Sequence, residues 1–231
     1  MEAIKAYILA HDLKPGDPLP TEAILCEAVG VSRSSVREAL RKLEALDIIT
    51  SHQGRGSFVG EMSMQPLVDT LVLRSALERS TGKRSLSEVI TIRRALDLGV
   101  AEELITAFRG TRNPRMWDLV DRMTDLSHQG RAYYEEDIAF HSQLLERLDS
   151  ALLQQLMSAM WLIHQTVTPF LEAADASSLE QTAQAHARIL KACEDGDLDA
   201  YRIAIDEHYA PVKQLLADAA AETADATASD S

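Results

Sequence analysis

Val31-Ser32-Arg33-Ser34-Ser35-Val36-Arg37-Glu38-Ala39-Leu40-Arg41-Lys42-Leu43 constrains this chain more than any other stretch. Val36, Ala39, Leu40 and Leu43 recur at three- and four-residue spacing, which makes one apolar stripe of an α-helix. Arg33, Arg37 and Arg41 are spaced by four and share a neighbouring face. With Lys42, and against Glu38, the segment has a net charge of +3 in a chain whose formal charge is −13. A basic face in an acidic protein asks for a local anion, and the phosphate backbone of a duplex supplies one. The planar fork of arginine can also bond guanine O6 and N7 together. An ordinary amphipathic helix with a solvated charged face would show the same stripe.

The preceding residues favour the DNA reading. Thr21 to Ala28 has helical spacing, with Leu25 and Ala28 expected on its inner side. Gly30 stands where a left-handed cap is needed, and Ser32 suits the N-cap of the next helix. Helix, Gly-containing turn and a second helix with base-reading side chains near its start make a helix-turn-helix. Met1 to Ala10 forms a further helix through Ile4, Ile8 and Leu9; beginning so close to residue 1, it leaves open a native start upstream of Met1. Three prolines and a glycine in Leu13 to Pro20 exclude regular structure there. Ile48-Ile49-Thr50 and Ser57-Phe58-Val59 predict two short strands, joined by His52-Gln53-Gly54-Arg55-Gly56 as a small basic wing suited to a minor groove.

Residues 1–60 hold 7 Lys+Arg and 8 Asp+Glu, while the rest holds 16 and 28. The acidity therefore lies in the second part, and any contact with DNA belongs to the first. Two cysteines, Cys26 and Cys193, give no disulfide framework and suit a reducing cytoplasm. No signal peptide and no apolar run of about 18 residues predicts a membrane span.

Three motifs in order carry a resemblance. Leu19-Pro20-Thr21-Glu22, then Gly30 to Leu40, then Gly54-Arg55-Gly56-Ser57-Phe58-Val59 closely resemble the GntR family of bacterial transcription regulators. The resemblance implies a winged helix-turn-helix. It implies that Arg33 and Arg37 read bases or phosphates, that Ser32, Ser34 and Ser35 contact the backbone, and that Gln53 and Gly54 form the wing tip, beside the basic Arg55. One departure stands out: the family usually has arginine after the glutamate of the Leu-Pro motif, where this chain has Ala23.

From Met64 onward the pattern is helical almost without a break, with spans expected at 64–79, 85–106, 114–128, 131–148, 151–172, 178–194 and 198–219. This predicts a mainly α chain: a winged domain at 1–60, a linker at 61–66, an all-α bundle for effector binding and dimerisation at 67–219, and a disordered tail at 220–231. In the bundle, Asp137 and His141 are four apart and project from one helix face. His186 and His208 each lie eleven residues from Asp197, at the Gly196-Asp197 turn. An antiparallel hairpin pivoting there sets them at one height on facing helices. The four could converge on a divalent metal, for which imidazole and carboxylate suit zinc first, then Ni, Mn or Fe(II); four separate surface or core residues would also satisfy the spacing.

This part also resembles the effector domain of the FadR subfamily, of FCD type. There an Asp-x-x-x-His pair and two later histidines bind a divalent metal, and the matching residues are Asp137, His141, His186 and His208. Ile92-Arg93-Arg94-Ala95-Leu96-Asp97 resembles the family's Arg-x-x-Leu-Glu motif, with Asp97 for Glu. Arg93 shares an apolar stripe with Leu86, Val89, Ile90, Leu96, Val100 and Leu104, so its guanidinium needs an anion. That anion is a bound carboxylate effector or Asp97, one turn on. His164, in an apolar stretch, is either structural or pocket-lining.

The leading expectation is a metabolite-responsive regulator: a homodimer on a palindromic operator, acting as a repressor released by a small organic or sugar acid. The competing class is a metal-dependent enzyme using the same Asp/His site. It would need a general base beside the metal, and nothing places Glu135 or Glu136 there. A scaffold with a purely structural metal is a third option.

Overall fold

The structure is a computed structural model that describes residues 1–77, 82–167 and 176–229. The chain divides into two compact units, Met1–Asp69 and Thr70–Ser231.

The first unit contains α1 (Glu2–Ala10), α2 (Glu22–Val29) and α3 (Arg33–Glu44), then the hairpin β1 (Ile49–His52) and β2 (Gly56–Val59). Gly30 ends α2 in the left-handed region at φ 68°, and Ser32 caps α3 by accepting from the Ser35 N–H. The whole apolar stripe of α3 is buried, with Val36 and Leu43 fully so, against Ile4, Ile8, Leu25, Ile49 and Val59. One expected inner residue is not inside. Ala28 is exposed, and Cys26 and Val29 pack in its place. Leu9 is 80% exposed, because α1 presents only Ile4 and Ile8 inward.

The strands pair antiparallel with His52 opposite Gly56, so Gln53-Gly54-Arg55 make the tip. Gly54 (φ 75°) and Gly56 (φ 96°) supply the left-handed conformations that a tight hairpin needs. The Pro-rich segment forms no strand of its own, yet it lies along β2. The Leu19 N–H donates to the Ser57 carbonyl, and the Val59 N–H to that of Asp17.

The second unit is all helical: α4 (Gln65–Leu77), which begins within the first unit, α5 (Gly82–Gly99), α6 (Ala101–Phe108), α7 (Pro114–His128), α8 (Tyr134–Leu145), α9 (Ala151–Val167), α10 (Ala176–Asp195) and α11 (Leu198–Ser229). α10 packs on α6, α7 and α11; α5 packs on α9 and α11; α8 lies between α7 and α9.

Several expected boundaries move. The span 85–106 breaks at Val100 (φ −100°, ψ 7°), next to Gly99, a poor helix former. The break lets α6 bury Ala101, Leu104, Ile105 and Phe108 on a face of its own. α8 is shorter than expected. Residues 131–133 are occupied with closing α7, where Gly130 takes φ 64° and the Arg131 N–H returns to the Leu126 carbonyl. The expected linker at 61–66 is cut short by α4, which starts at Gln65. The expected disordered tail is helix to Ser229, continuing α11, in keeping with its run of alanines, the best helix formers. The ends of the predicted spans 64–79 and 151–172 fall partly outside the described residues.

The α10–α11 turn is fixed by Gly196. Its φ of 77° suits glycine, and a Cβ there would collide with the Arg109 side chain, whose Nη2 donates to the Gly196 carbonyl at 3.3 Å. Glu194, just before it, holds the start of α7 by accepting from the Asn113 N–H (2.8 Å) and Trp117 Nε1 (3.0 Å).

Candidate functional site

On α3, burial of one stripe forces Arg33, Arg37 and Arg41 outward, and all three are exposed. At its N-terminus the Ser32 hydroxyl lies 2.9 Å from those of both Ser34 and Ser35. Three hydroxyls and the free N–H groups of a first turn suit a phosphate. Arg37 is oriented by a residue that sequence reasoning took only as part of the Leu-Pro motif: its Nε donates to both carboxylate oxygens of Glu22 at 2.8 Å. That hydrogen bond lowers the Glu22 carboxyl from its ordinary value. Gln53 and Gly54 are exposed at the hairpin tip, and the Arg55 guanidinium lies 5.9 Å from the Phe58 ring centre.

The helical unit brings its four predicted residues together. Asp137 and His141 project from α8, His186 from α10 and His208 from α11, and their ligating atoms all lie within 4.8 Å of one another. The hairpin pivot at Gly196 sets the His186 and His208 rings 4.5 Å apart. His141, His186 and His208 are buried, and the Asp137 side chain keeps 13% exposure. His186 Nδ1 lies 2.9 Å from the Thr182 carbonyl, which calls for the tautomer with the proton on Nδ1 and leaves Nε2 a lone pair. That Nε2 is 2.7 Å from Asp137 Oδ1, but the contact lacks hydrogen-bond geometry. His141 Nε2 and His208 Nδ1 are likewise buried without a hydrogen-bond partner. Three orphaned imidazole nitrogens facing one carboxylate fit a divalent cation.

Electrostatics agree. Burial pushes His141 down to about 3, and burial with the neighbouring His186 and His141 holds His208 well below its ordinary value. Burial pulls the Asp137 carboxyl up, but His186 contact and the surrounding imidazoles more than reverse this, so it stays well below the carboxylate range. Neutral imidazole and ionised carboxylate are the forms a metal takes.

Beside this cluster is Arg93, 1% exposed. Its Nη1 lies 2.5 Å from His164 Nδ1, and its guanidinium stands 5.7 Å from the Trp161 ring centre and 5.6 Å from that of Tyr209. Arg93 Nε and Nη2 are buried with no hydrogen-bond partner. Of the two anions open to Arg93, Asp97 is engaged elsewhere: its Oδ2 accepts from the Tyr209 hydroxyl and its backbone carbonyl from that of Tyr201, and it forms no ion pair with Arg93 among the described residues. Burial raises the Asp97 carboxyl to about 6. His164 proves an Arg93 partner, pushed down to about 4 by burial and by that guanidinium. Sequence reasoning missed Tyr209 and Thr182, and gave no sign that the Trp161 ring would lie against the arginine.

A winged helix-turn-helix followed by an all-α unit with a buried Asp/His group defines a DNA-binding regulator. Residues 1–59 match the family model for bacterial regulatory proteins, gntR family, and residues 88–211 match the FCD domain. The chain belongs to the GntR family, in its FCD-domain form.

The chain is 29% identical over 186 residues to the galactonate operon transcriptional repressor of Escherichia coli K12, covering 80% of this chain and 81% of that one. It is 30% identical over 151 residues to the HTH-type transcriptional regulator LutR of Bacillus subtilis 168, covering 64% and 65%. Among solved structures, a Streptococcus agalactiae GntR protein superposes with a TM-score of 0.65 at 25% identity, over 92% of this chain and 96% of that one. The matched families and these relatives are transcription regulators, so the enzyme reading is set aside. No described helix is long and apolar enough to cross a membrane.

Proposed function

We propose that this regulator is a cytoplasmic repressor that binds a palindromic operator as a homodimer and is released when a small carboxylate enters its helical unit. Ser32, Arg33, Ser34, Ser35 and Arg37 face the operator's major groove and its phosphates, and Gln53, Gly54 and Arg55 the adjacent minor groove. Asp137, His141, His186 and His208 hold a divalent ion, with zinc first among the candidates and Ni, Mn or Fe as alternatives; bound there, the ion supplies a Lewis-acidic seat for one carboxylate oxygen. Arg93 donates to the other oxygen. Two free cysteines support a reducing compartment. The name of the galactonate relative supports an organic acid and repression.

The observation that carries the reading is Arg93: a buried guanidinium beside the metal cluster, with two N–H-bearing nitrogens unpartnered and the acid one turn on, Asp97, bonded to a tyrosine. A buried cation left so is costly unless an anion joins it. The test combines metal analysis with a thermal-shift screen of organic and sugar acids, run with and without chelator. An acid that raises the midpoint only in the metal-loaded chain, and not in Arg93→Ala, supports the reading. An acid response undiminished in the metal-free chain removes the metal from it.

A further inference from the structure

A second feature adjoins this site on the side of α8 and α9. A cavity of about 230 Å³ lies between them, with His141 in its wall. Its apolar lining comes from Ile138, Leu145, Met157, Trp161 and Leu162. Among the described residues, the other polar groups lining it are the hydroxyls of Ser142 and Ser158. Ser158 and Leu162 are exposed at its rim, so the cavity communicates with solvent. Two of its wall residues belong to the charged site as well: His141 is in the metal group, and Trp161 lies against the Arg93 guanidinium. The indole Nε1 of Trp161 is itself buried without a hydrogen-bond partner.

This arrangement separates two kinds of recognition. The metal group adjoins the cavity through His141, and Arg93 adjoins it through Trp161; both Arg93 and Trp161 hold buried N–H groups without partners. Among the described residues the rest of the wall is hydrocarbon and ring, with no carboxylate, amide or cationic side chain. A polyhydroxylated chain placed there would leave most of its hydroxyls without partners, each at a desolvation cost. An alkyl or aryl body would lose nothing and would bury apolar surface.

We infer that the effector is a monocarboxylic acid with an apolar body: the carboxylate sits at the metal and Arg93, its oxygens also within the province of the Trp161 N–H, and the hydrocarbon part fills the α8–α9 cavity. This rests on the carboxylate-effector reading and narrows its chemical class, excluding sugar acids as the tight ligand. Each methylene buried in the cavity tightens binding about fourfold.

Calorimetric titration of the full chain, loaded with Zn2+, with acetate, hexanoate and gluconate tests this. The expected order is hexanoate tightest, with gluconate at least about tenfold weaker. Ser158→Phe sets a ring into the cavity from its exposed rim. It is expected to weaken hexanoate at least about tenfold, to leave acetate where it was, and to keep the wild-type circular dichroism and operator binding. Gluconate binding as tightly as hexanoate, or hexanoate binding Ser158→Phe like the wild type, overturns the inference while leaving the carboxylate site standing. Failure of all three acids to bind the metal-loaded wild type overturns the inference and the carboxylate reading together.

Discussion

Acidification of the metal-free chain should unfold it far more steeply than its surface charge alone would. His141 is held at about 3, His164 at about 4 and His208 well below its ordinary value, against 6.5 for an imidazole in the unfolded chain. For each, the unfolded state takes up a proton first as pH falls, so stability present above pH 6.5 is lost below it. Asp97 acts in the opposite direction. Its folded carboxyl is raised to about 6 against 3.8, so the native state binds the proton first and gains stability as pH falls through 6. From pH 6.5 to 5 the shifts of His141 and His164 each cost on the order of 1–2 kcal/mol, His208 adds in the same direction, and Asp97 offsets on the order of 1, leaving a net loss of a few kcal/mol. Near pH 5.5 the unfolded chain holds more protons than the folded one, so stability falls by about 1–3 kcal/mol per pH unit. Urea unfolding of chelator-treated protein at several pH values between 6.5 and 5 measures this directly. His164→Gln should remove roughly a third of the imidazole contribution and flatten the profile. A change below about 1 kcal/mol over that interval would refute the picture of neutral, buried imidazoles.

Four further outcomes follow from the geometry. Arg33→Ala should weaken operator binding by roughly 1–3 kcal/mol, if its fork meets a base, with the melting midpoint unchanged; gel-shift titration beside a thermal melt checks both. Glu22→Gln removes the carboxylate that orients Arg37 and should weaken operator binding, though less than Arg37→Ala, in the same assay. Excess zinc at about a thousand times its dissociation constant should stabilise the chain by about 4 kcal/mol, and His186→Ala should erase both that shift and the bound metal found by mass spectrometry. Gly196→Ala should lower stability by at least about 1 kcal/mol, since it needs a left-handed backbone and meets Arg109; chemical denaturation reads the loss.

Much of the fold was legible because local chemistry and periodicity agreed. Gly30, Ser32 and the α3 stripe each specify their own place, and all adopt it. What failed was of another kind. Ala28 is small and apolar enough to sit on either side of α2, so only packing decides, and Cys26 and Val29 took the contact. The break at Val100 arises from the rotation that lets α6 bury Phe108, a tertiary demand that no period in 85–106 records.

The four-residue cluster was legible in part for a geometric reason, since an i, i+4 pair and two residues equidistant from a turn are each held at one height. That the two pairs meet was what the FCD resemblance implied, and the fold brings their ligating atoms within 4.8 Å of one another. The cluster's charged neighbour was not legible. Arg93 and Asp97 lie one turn apart, and sequence alone makes them natural partners. The structure instead gives Asp97 to the Tyr209 hydroxyl, from a helix more than a hundred residues away, and sets Arg93 close to both the Trp161 and Tyr209 rings. Tyr209 thus does two things at once: it occupies the acid that would neutralise Arg93 and stands beside the guanidinium so freed. Tyr209→Phe should release the Asp97 carboxylate toward Arg93. With that internal anion available, a carboxylate ligand would lose affinity even though no residue proposed to touch it had changed. Calorimetry of the metal-loaded variant with hexanoate measures the loss, and affinity equal to wild type would show that Asp97 does not compete for Arg93.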